Sequence, residues 1–263
     1  MTEPTVLHST DARGVATVTL NRPDLHNAFN ETLIEELRSA FERVATDPKA
    51  RLMVLAAKGK SFSAGGDLNW MKRQGTLSEK ENHEDAYRLA AMLKTLDILP
   101  KPVIGRIQGA VFAGGIGLVS CCDVAIAVDS AIFSLSEVKI GLAPATIGPY
   151  VTAAIGPRAM RRYAVSGERF KADEARRIGL VHEVVTADRL DEAVEKLISE
   201  FLQGGPEAQG AAKQLVRDVA YRPIDEALMH ETAALIAKRR ATAEGREGMQ
   251  SFLDKRKPGW VRS

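Results

Sequence analysis

Cysteine is almost absent: of 263 residues only the adjacent Cys121 and Cys122 carry thiols, and they sit in an apolar run. Neighbouring thiols in such a setting neither staple distant segments nor build a metal centre, so they read as small buried apolar residues of a reducing compartment. Charge of one sign is equally scarce. With 36 basic against 34 acidic side chains the net charge is +2, which removes the bulk electrostatic argument for nucleic acid or an anionic membrane. The run Lys238-Arg239-Arg240 is the one local exception. No apolar stretch reaches the roughly 18 residues of a membrane span. The segment MTEPTVLHST lacks the basic start and apolar run of a secretory signal, so a cytoplasmic location is expected. Also missing are a metal-ligand cluster, a phosphate-loop lysine motif and a Ser/His/Asp arrangement.

What is present belongs to an ordinary globular protein, 45% hydrophobic and 27% charged, long enough for one large domain with a small appendage. Residues 6–9 and 15–20 suggest a β-hairpin. Asn30 is a credible N-cap for a helix on which Leu33, Ile34, Leu37, Phe41 and Val44 keep helical spacing, followed by a buried strand over 51–57. The loop KGKSFSAGGDL ends in Gly65-Gly66 and opens a helix at Asp67; a longer helix over 79–99 places Ala86, Leu89, Ala90, Leu93 and Leu96 on one face. Residues 104–141 repeat the unit: a strand over 103–107, a turn through Ala113, Gly114 and Gly115, a small-residue helix, a β-branched strand, then Glu137. Strand, glycine loop and helix in succession indicate α/β organisation, with strand-end loops gathered where ligands bind. A glycine turn entering a helix offers unpaired N–H groups to an oxygen carrying negative charge. Further on, helices are expected over 156–165 and 171–178, a strand over 180–185, and an amphipathic helix bearing Leu190, Ala193, Val194, Leu197, Ile198, Phe201 and Leu202. Pro206 and Pro223 open two more helices, the second running to about Gly245.

Six segments in order resemble the crotonase (enoyl-CoA hydratase/isomerase) family across essentially the whole chain. They are LNRPDLHNAF at 20–29, SFSAGGDLNWM at 61–71, KPVIGRIQGAVFAGGIGLVSCCDVAIA at 101–127, FSLSEVKIGLAP at 133–144, GERFKADEARRIGLVHEVV at 167–185, and FLDKRKP near the carboxyl end. The resemblance implies an α/β fold: a crotonase-like spiral of βαβ turns over residues 1–200 carrying the CoA-ester site. Residues 201–263 then form a helical trimerisation region, giving a homotrimer or a hexamer of two trimers. It implies an acyl-CoA thioester substrate, whose oxygen is held by the backbone N–H groups of Gly66 and Gly114, with Glu137 as acid and base. Gly66, Asp67, Leu68 and Asn69 would follow the pantetheine and acyl portion. His26, Ala28 and Ala64 would line the nucleotide end of CoA, and Phe252 and Lys255 would reach the CoA of a neighbouring subunit. No metal, nucleic acid or membrane partner is implied, and no cofactor beyond the CoA of the substrate.

One position departs from the pattern. Well-studied hydratases of the family carry a second glutamate twenty residues before the one matched by Glu137, and here that place is Gly117. Two chemistries stay open: hydration of a 2-enoyl-CoA, and Δ3,Δ2-isomerisation, which needs a single carboxylate. The text GGIGLVSCCD with EVKIGLAPATIGPYVTAAIG resembles bacterial methylglutaconyl-CoA and isohexenylglutaconyl-CoA hydratases, favouring hydration of a short branched, dicarboxylic substrate. Gly117 would leave room for a 3-methyl branch or a water, and Lys72 or Arg73 could meet a distal carboxylate. Asp67 and Asp123 read as helix-terminal structural acids. A non-catalytic acyl-CoA or RNA-binding role is the alternative of another class.

Overall fold

The computed structural model describes residues 3–261. The outermost two residues of the amino-terminal segment and of the tail lie outside them. Strands β1 (Val6–Thr10) and β2 (Val15–Leu20) form the expected antiparallel hairpin. Helix α1 (Glu31–Thr46) starts where Asn30 accepts from the Leu33 N–H at 2.9 Å, and it buries all five residues of the expected stripe. Strand β3 (Leu52–Ala57) is buried on both faces, as befits a strand paired in parallel with β2 and with β4 (Val103–Ile107). Between them lie α2 (Leu68–Gln74) and α3 (Glu79–Asp97).

After β4 the chain turns sharply at Gly109, with φ 64 and the Lys60 carbonyl 1.8 Å from where a Cβ would sit, so only glycine serves. The turn launches β5 (Ala110–Phe112), which leads into α4 (Gly114–Ser120), β6 (Val124–Val128) and β7 (Ile132–Ser134). Next come α5 (Gly148–Ser166), β8 (Phe170–Lys171), α6 (Ala172–Arg177), β9 (Glu183–Val185) and α7 (Leu190–Gln203). Two sheets result, ordered β1-β2-β3-β4-β6-β9 and β5-β7-β8. Strands β4 and β6 of the large sheet each hand the chain to a short strand of the small one, β5 and β7. Helices α8 (Pro206–Val219), α9 (Glu226–Ala241) and α10 (Ala243–Leu253) make the carboxy-terminal helical region.

Several expected boundaries move. On α3 the buried residues are Asp85, Met92, Leu93 and Leu96 while Ala86 is exposed. The helix expected from 156 begins at Gly148 and kinks at Gly156, with φ 74 and ψ 158. The strand expected over 180–185 is only Glu183–Val185. Asp225, not Pro223, starts α9 by accepting from the Leu228 N–H at 2.8 Å, and Thr242 divides the expected single helix by capping α10 through the Gly245 N–H at 3.0 Å. Cys121 and Cys122 are buried and unpaired, and burial pushes both thiols up, Cys122 to about 12, so neither is reactive at neutral pH. No helix among the described residues is long and apolar enough to cross a membrane.

Candidate active site

Backbone pairing brings the two glycine loops together. The Ser63 carbonyl accepts from the Phe112 N–H at 2.8 Å, and bridges join Ser63 to Val111 and Phe29 to Gly66. The Phe29 bridge uses the Gly65 carbonyl at 2.7 Å and the Asp67 N–H at 2.8 Å, so it passes over the Gly66 N–H. Neither that N–H nor the one on Gly114 finds an acceptor among the described residues. Gly65 has φ 90 and lies close enough to Ala113 that a Cβ would be 3.2 Å from the Ala113 Cβ.

Ala113 itself stands at φ 47 and ψ −117, a conformation costing an alanine about 1–3 kcal/mol. It is held there by its N–H to the Ser134 carbonyl at 3.0 Å, and it turns the following N–H, that of Gly114, out of the small sheet. Phe29, 1% exposed, backs the turn from beneath: a Cβ on Gly114 would meet its ring at 2.9 Å. A fully buried Asn27 ties the arrangement to the first loop, donating to the Lys58 and Ser61 carbonyls at 2.8 Å each, while Ser63 Oγ donates to its carbonyl at 3.0 Å. Asn27 and Phe29 lie inside a motif quoted above, but their bracing role depends on partners more than thirty residues away.

Glu137 opens a short 3-10 turn, three residues after Ser134, whose strand partner is Phe112. The same small sheet therefore positions the acid and the Gly114 turn. Its Oε2 is buried with no hydrogen-bond partner among the described residues. Burial pushes its pKa above the ordinary carboxylate range, only partly offset by its own backbone N–H. Gly117 does not open onto free space. A Cβ there would lie 2.6 Å from Ile147 Cγ2 and 3.4 Å from a Leu93 methyl, so the room expected beside it is filled by two buried side chains. Ile147 left no local sequence signal, since only tertiary packing brings it to α4.

Of the remaining candidates, His26 and Ala64 are joined through the backbone, and Ala28 is buried two residues beyond His26. The Ala64 N–H donates to the His26 carbonyl at 2.9 Å, and His26 Nδ1 lies 3.0 Å from Ser61 Oγ. Leu68, 81% exposed, and Asn69, also exposed, are the first two residues of α2. Asp67 is a structural acid, as its reading as a helix-terminal residue required. Burial opposes its charge, but Arg22 at 2.9 Å and the N–H groups of Trp70 and Asn69 outweigh that and hold its pKa below the usual range. Its carboxylate is therefore engaged and not available to a ligand. Asp123 is likewise engaged, accepting from the Val103 N–H and Lys213 Nζ at 2.7 Å each. Arg73 is tied to both Glu31 oxygens at 2.7 Å, and Lys72 is exposed. Within the basic run, Arg239 is bound by Glu207 at 2.9 Å and Glu244 at 2.8 Å. Phe252, 83% exposed, lies on α10 and Lys255 just beyond it, in the helical region that packs on α8 and α9. Two cavities lie away from the glycine loops, one of about 490 Å³ among α8, α9 and α10 and one of about 910 Å³ lined by Arg158, Arg161, Arg162 and Arg177.

This part of the fold thus carries two backbone N–H groups without acceptors, on Gly66 and Gly114, and a buried carboxylate oxygen without a partner on Glu137. Comparison with known proteins gives the family. The enoyl-CoA hydratase/isomerase family model matches residues 10–263. A crotonyl-CoA hydratase of Syntrophomonas wolfei is 32% identical over 94% of this chain and 94% of its own length. A trans-2-decenoyl-[acyl-carrier-protein] isomerase of Streptococcus mutans is 30% identical over 96% of each chain. Among solved structures, an enoyl-CoA hydratase/isomerase (crotonase) from Legionella pneumophila superposes with TM-score 0.93 at 42% identity, covering 98% of this chain and all of that one.

Proposed function

Since the chain belongs to the enoyl-CoA hydratase/isomerase family, with its mixed α/β fold and carboxy-terminal helices, we propose that it adds water reversibly across the 2,3 double bond of a short enoyl-CoA. The observation that carries this reading is a buried carboxylate oxygen without a partner, Glu137 Oε2, three residues beyond the strand of the small sheet whose neighbour, β5, leads into Gly114. The N–H groups of Gly66 and Gly114 hold the thioester carbonyl oxygen as it becomes enolate-like; one such donor is worth about 10²- to 10³-fold in rate. Glu137 takes a proton from water as its oxygen bonds to Cβ, and the Cα proton comes from Glu137 in turn or from a second water. A pKa raised by burial suits a group that both takes and returns a proton near neutral pH.

His26, Ala28, Ala64, Leu68 and Asn69 make the rim along which the CoA ester lies. The acyl group is a branched, methylglutaconyl-type one, a reading supported by the sequence pattern around Gly117 and not by space there, which Ile147 fills. The apolar residues left exposed on the last three helices support assembly with further copies of the chain, read here as a trimer or a pair of trimers, in which Phe252 and Lys255 would serve a neighbour's site. The substrate brings the only CoA required.

A second reading, Δ3,Δ2-isomerisation, is favoured by one observation: the wall facing Gly117 is apolar, so a single carboxylate would shuttle a proton between Cα and Cγ. Incubation in ¹⁸O-water separates the two, because only hydration places solvent oxygen in the product. Glu137→Gln should abolish turnover and retain binding of a CoA ester; near-normal turnover would sink both readings.

A further inference from the structure

The Gly66 N–H is aimed by bonds that lie outside the loop it belongs to. A trans peptide is planar, so a carbonyl and the N–H of the next residue point in opposite directions, and no peptide bond among the described residues is cis. The Gly65 carbonyl accepts from the Phe29 N–H at 2.7 Å, so the Gly66 N–H in the same plane faces away from Phe29. The Phe29 N–H in turn shares its plane with the Ala28 carbonyl, which accepts from Arg22 Nη1. Two peptide planes therefore connect one guanidinium nitrogen to the Gly66 donor. A second nitrogen of the same guanidinium, Nη2, donates to the Asp67 carboxylate at 2.9 Å, and the Asp67 N–H donates to the Phe29 carbonyl at 2.8 Å. Arg22 thus grips the residue before Phe29 on one segment and the residue after Gly66 on the other. Its side chain is only 12% exposed, and its own N–H donates to Asn27 Oδ1 at 2.8 Å, which fixes its root. The Gly114 N–H is aimed differently: the Ala113 carbonyl in its plane accepts from the Ile116 N–H at 2.9 Å, a bond within its own turn.

We propose that Arg22 is a positioning residue for the Gly66 half of the oxyanion site, acting through the Ala28–Phe29 and Gly65–Gly66 peptide planes. The inference rests on the enoyl-CoA reading above. A guanidinium suits the task because its N–H groups form a rigid planar fork, so acceptors on two separate segments are held in register. A lysine ammonium in its place is a point charge on a flexible stem and fixes no such angle. Misplacing a donor by about 1 Å can cost about a hundredfold in rate. The Gly114 donor, held by its own turn, keeps its aim when Arg22 is changed, so the loss stays within that of a single donor.

The test uses crotonyl-CoA and two variants. Arg22→Met removes both bonds and keeps an unbranched stem; Arg22→Lys keeps the charge without the fork, which covers poor folding of the first. The expected result is a fall in kcat of about ten- to a hundredfold for Arg22→Met and about five- to tenfold for Arg22→Lys. KM should stay within about threefold of the parent, because the donor is used mainly as charge develops on the oxygen. A second readout, which an arginine that merely stabilises the fold would not move, is the substrate carbonyl itself. In a Glu137→Gln background, crotonyl-CoA carrying ¹³C at its carbonyl is bound to saturation and its C=O stretch is read by difference infrared spectroscopy. Two donors should lower that stretch relative to the free thioester, and Arg22→Met should remove about half of the lowering. A kcat within about twofold of the parent in either variant overturns the proposal, as does an unchanged stretch in a folded variant that has lost activity. An enzyme with Arg22 intact that neither hydrates crotonyl-CoA nor lowers its carbonyl stretch refutes the enoyl-CoA reading, and this proposal with it.

Discussion

Strand β3 buries all six of its residues and α1 six of its sixteen, whereas α8 buries none, α9 only Leu228 and α10 only Ser251. The last three helices leave Val216, Met229, Ile236, Met249, Phe252 and Leu253 exposed. Polar strain is shared by both. Glu137 Oε2, Trp70 Nε1 and Ser120 Oγ are buried without a partner in the spiral and Arg239 Nε in the helical layer, and positive φ occurs at Ala113 in the first and at Tyr221 and Lys255 in the second. The helical layer ties Arg239 to Glu207 and Glu244 through its other guanidinium nitrogens. A core that is apolar and close-packed can hold a few costly groups in place, and that is where a site is built. A layer with apolar residues left on its outside gains stability from a further surface laid against it.

The comparison breaks first at Glu137. Replacement by glutamine should lower turnover about 10²- to 10⁴-fold, yet the variant should melt higher than the parent at neutral pH. The sign follows from the raised pKa. Below the ordinary value of 4.5 the group is protonated in folded and unfolded chains alike and contributes nothing. As pH rises through the raised folded value, the folded state must hold a desolvated charge and loses stability, which glutamine does not. The gap in melting temperature between variant and parent should therefore widen as pH rises from 4.5 through the raised folded value and level off above it, and a gap that stays constant across that window would contradict the assignment of burial as the cause. In the parent, kcat/KM should fall as pH drops through that same raised value, above 4.5, because the base must be ionised.

Next in size is Gly114→Ala, whose Cβ meets the Phe29 ring at 2.9 Å. Displacing this donor should cost about 10²- to 10³-fold in kcat, read from steady-state kinetics on crotonyl-CoA. Smaller is Gly117→Glu. Against Ile147 at 2.6 Å it should destabilise by about 1–3 kcal/mol in urea unfolding and add no hydratase activity. Combining it with Ile147→Gly should recover most of that stability; failure to do so would mean the packing at α4 is not the obstacle. The smallest effect belongs to the outer layer. Ile236→Asp, on a residue 48% exposed, should change the protomer's own stability by about 0.5 kcal/mol or less while lowering the assembly mass in light scattering. Leu55→Asp, at 0% exposed in β3, should prevent folding.

Much of this was legible in the residue pattern. The hairpin, α1 with its Asn30 cap, the buried β3 and the amphipathic α7 each follow from short-range periodicity and capping, which depend on neighbours a few residues away. The glycine loops and Glu137 were also visible, because a motif carries its spacing with it. The strands β5 and β7 were not, since at three residues each their existence depends on pairing with one another. Thr242 as the break between α9 and α10 escaped for a similar reason: a threonine inside a helical pattern caps or continues according to its surroundings.

Sequence alone determined the longer helices and strands and their order, the family resemblance and the scarcity of proton-handling groups, all properties of residue type and local spacing. Only the tertiary structure decided that Asp67 and Arg73 are already engaged, that Ile147 fills the space beside Gly117, and that the Glu137 carboxylate oxygen is buried without a partner. Each of these depends on which side chain, distant along the chain, arrives at a given point in space, and local periodicity carries no record of that.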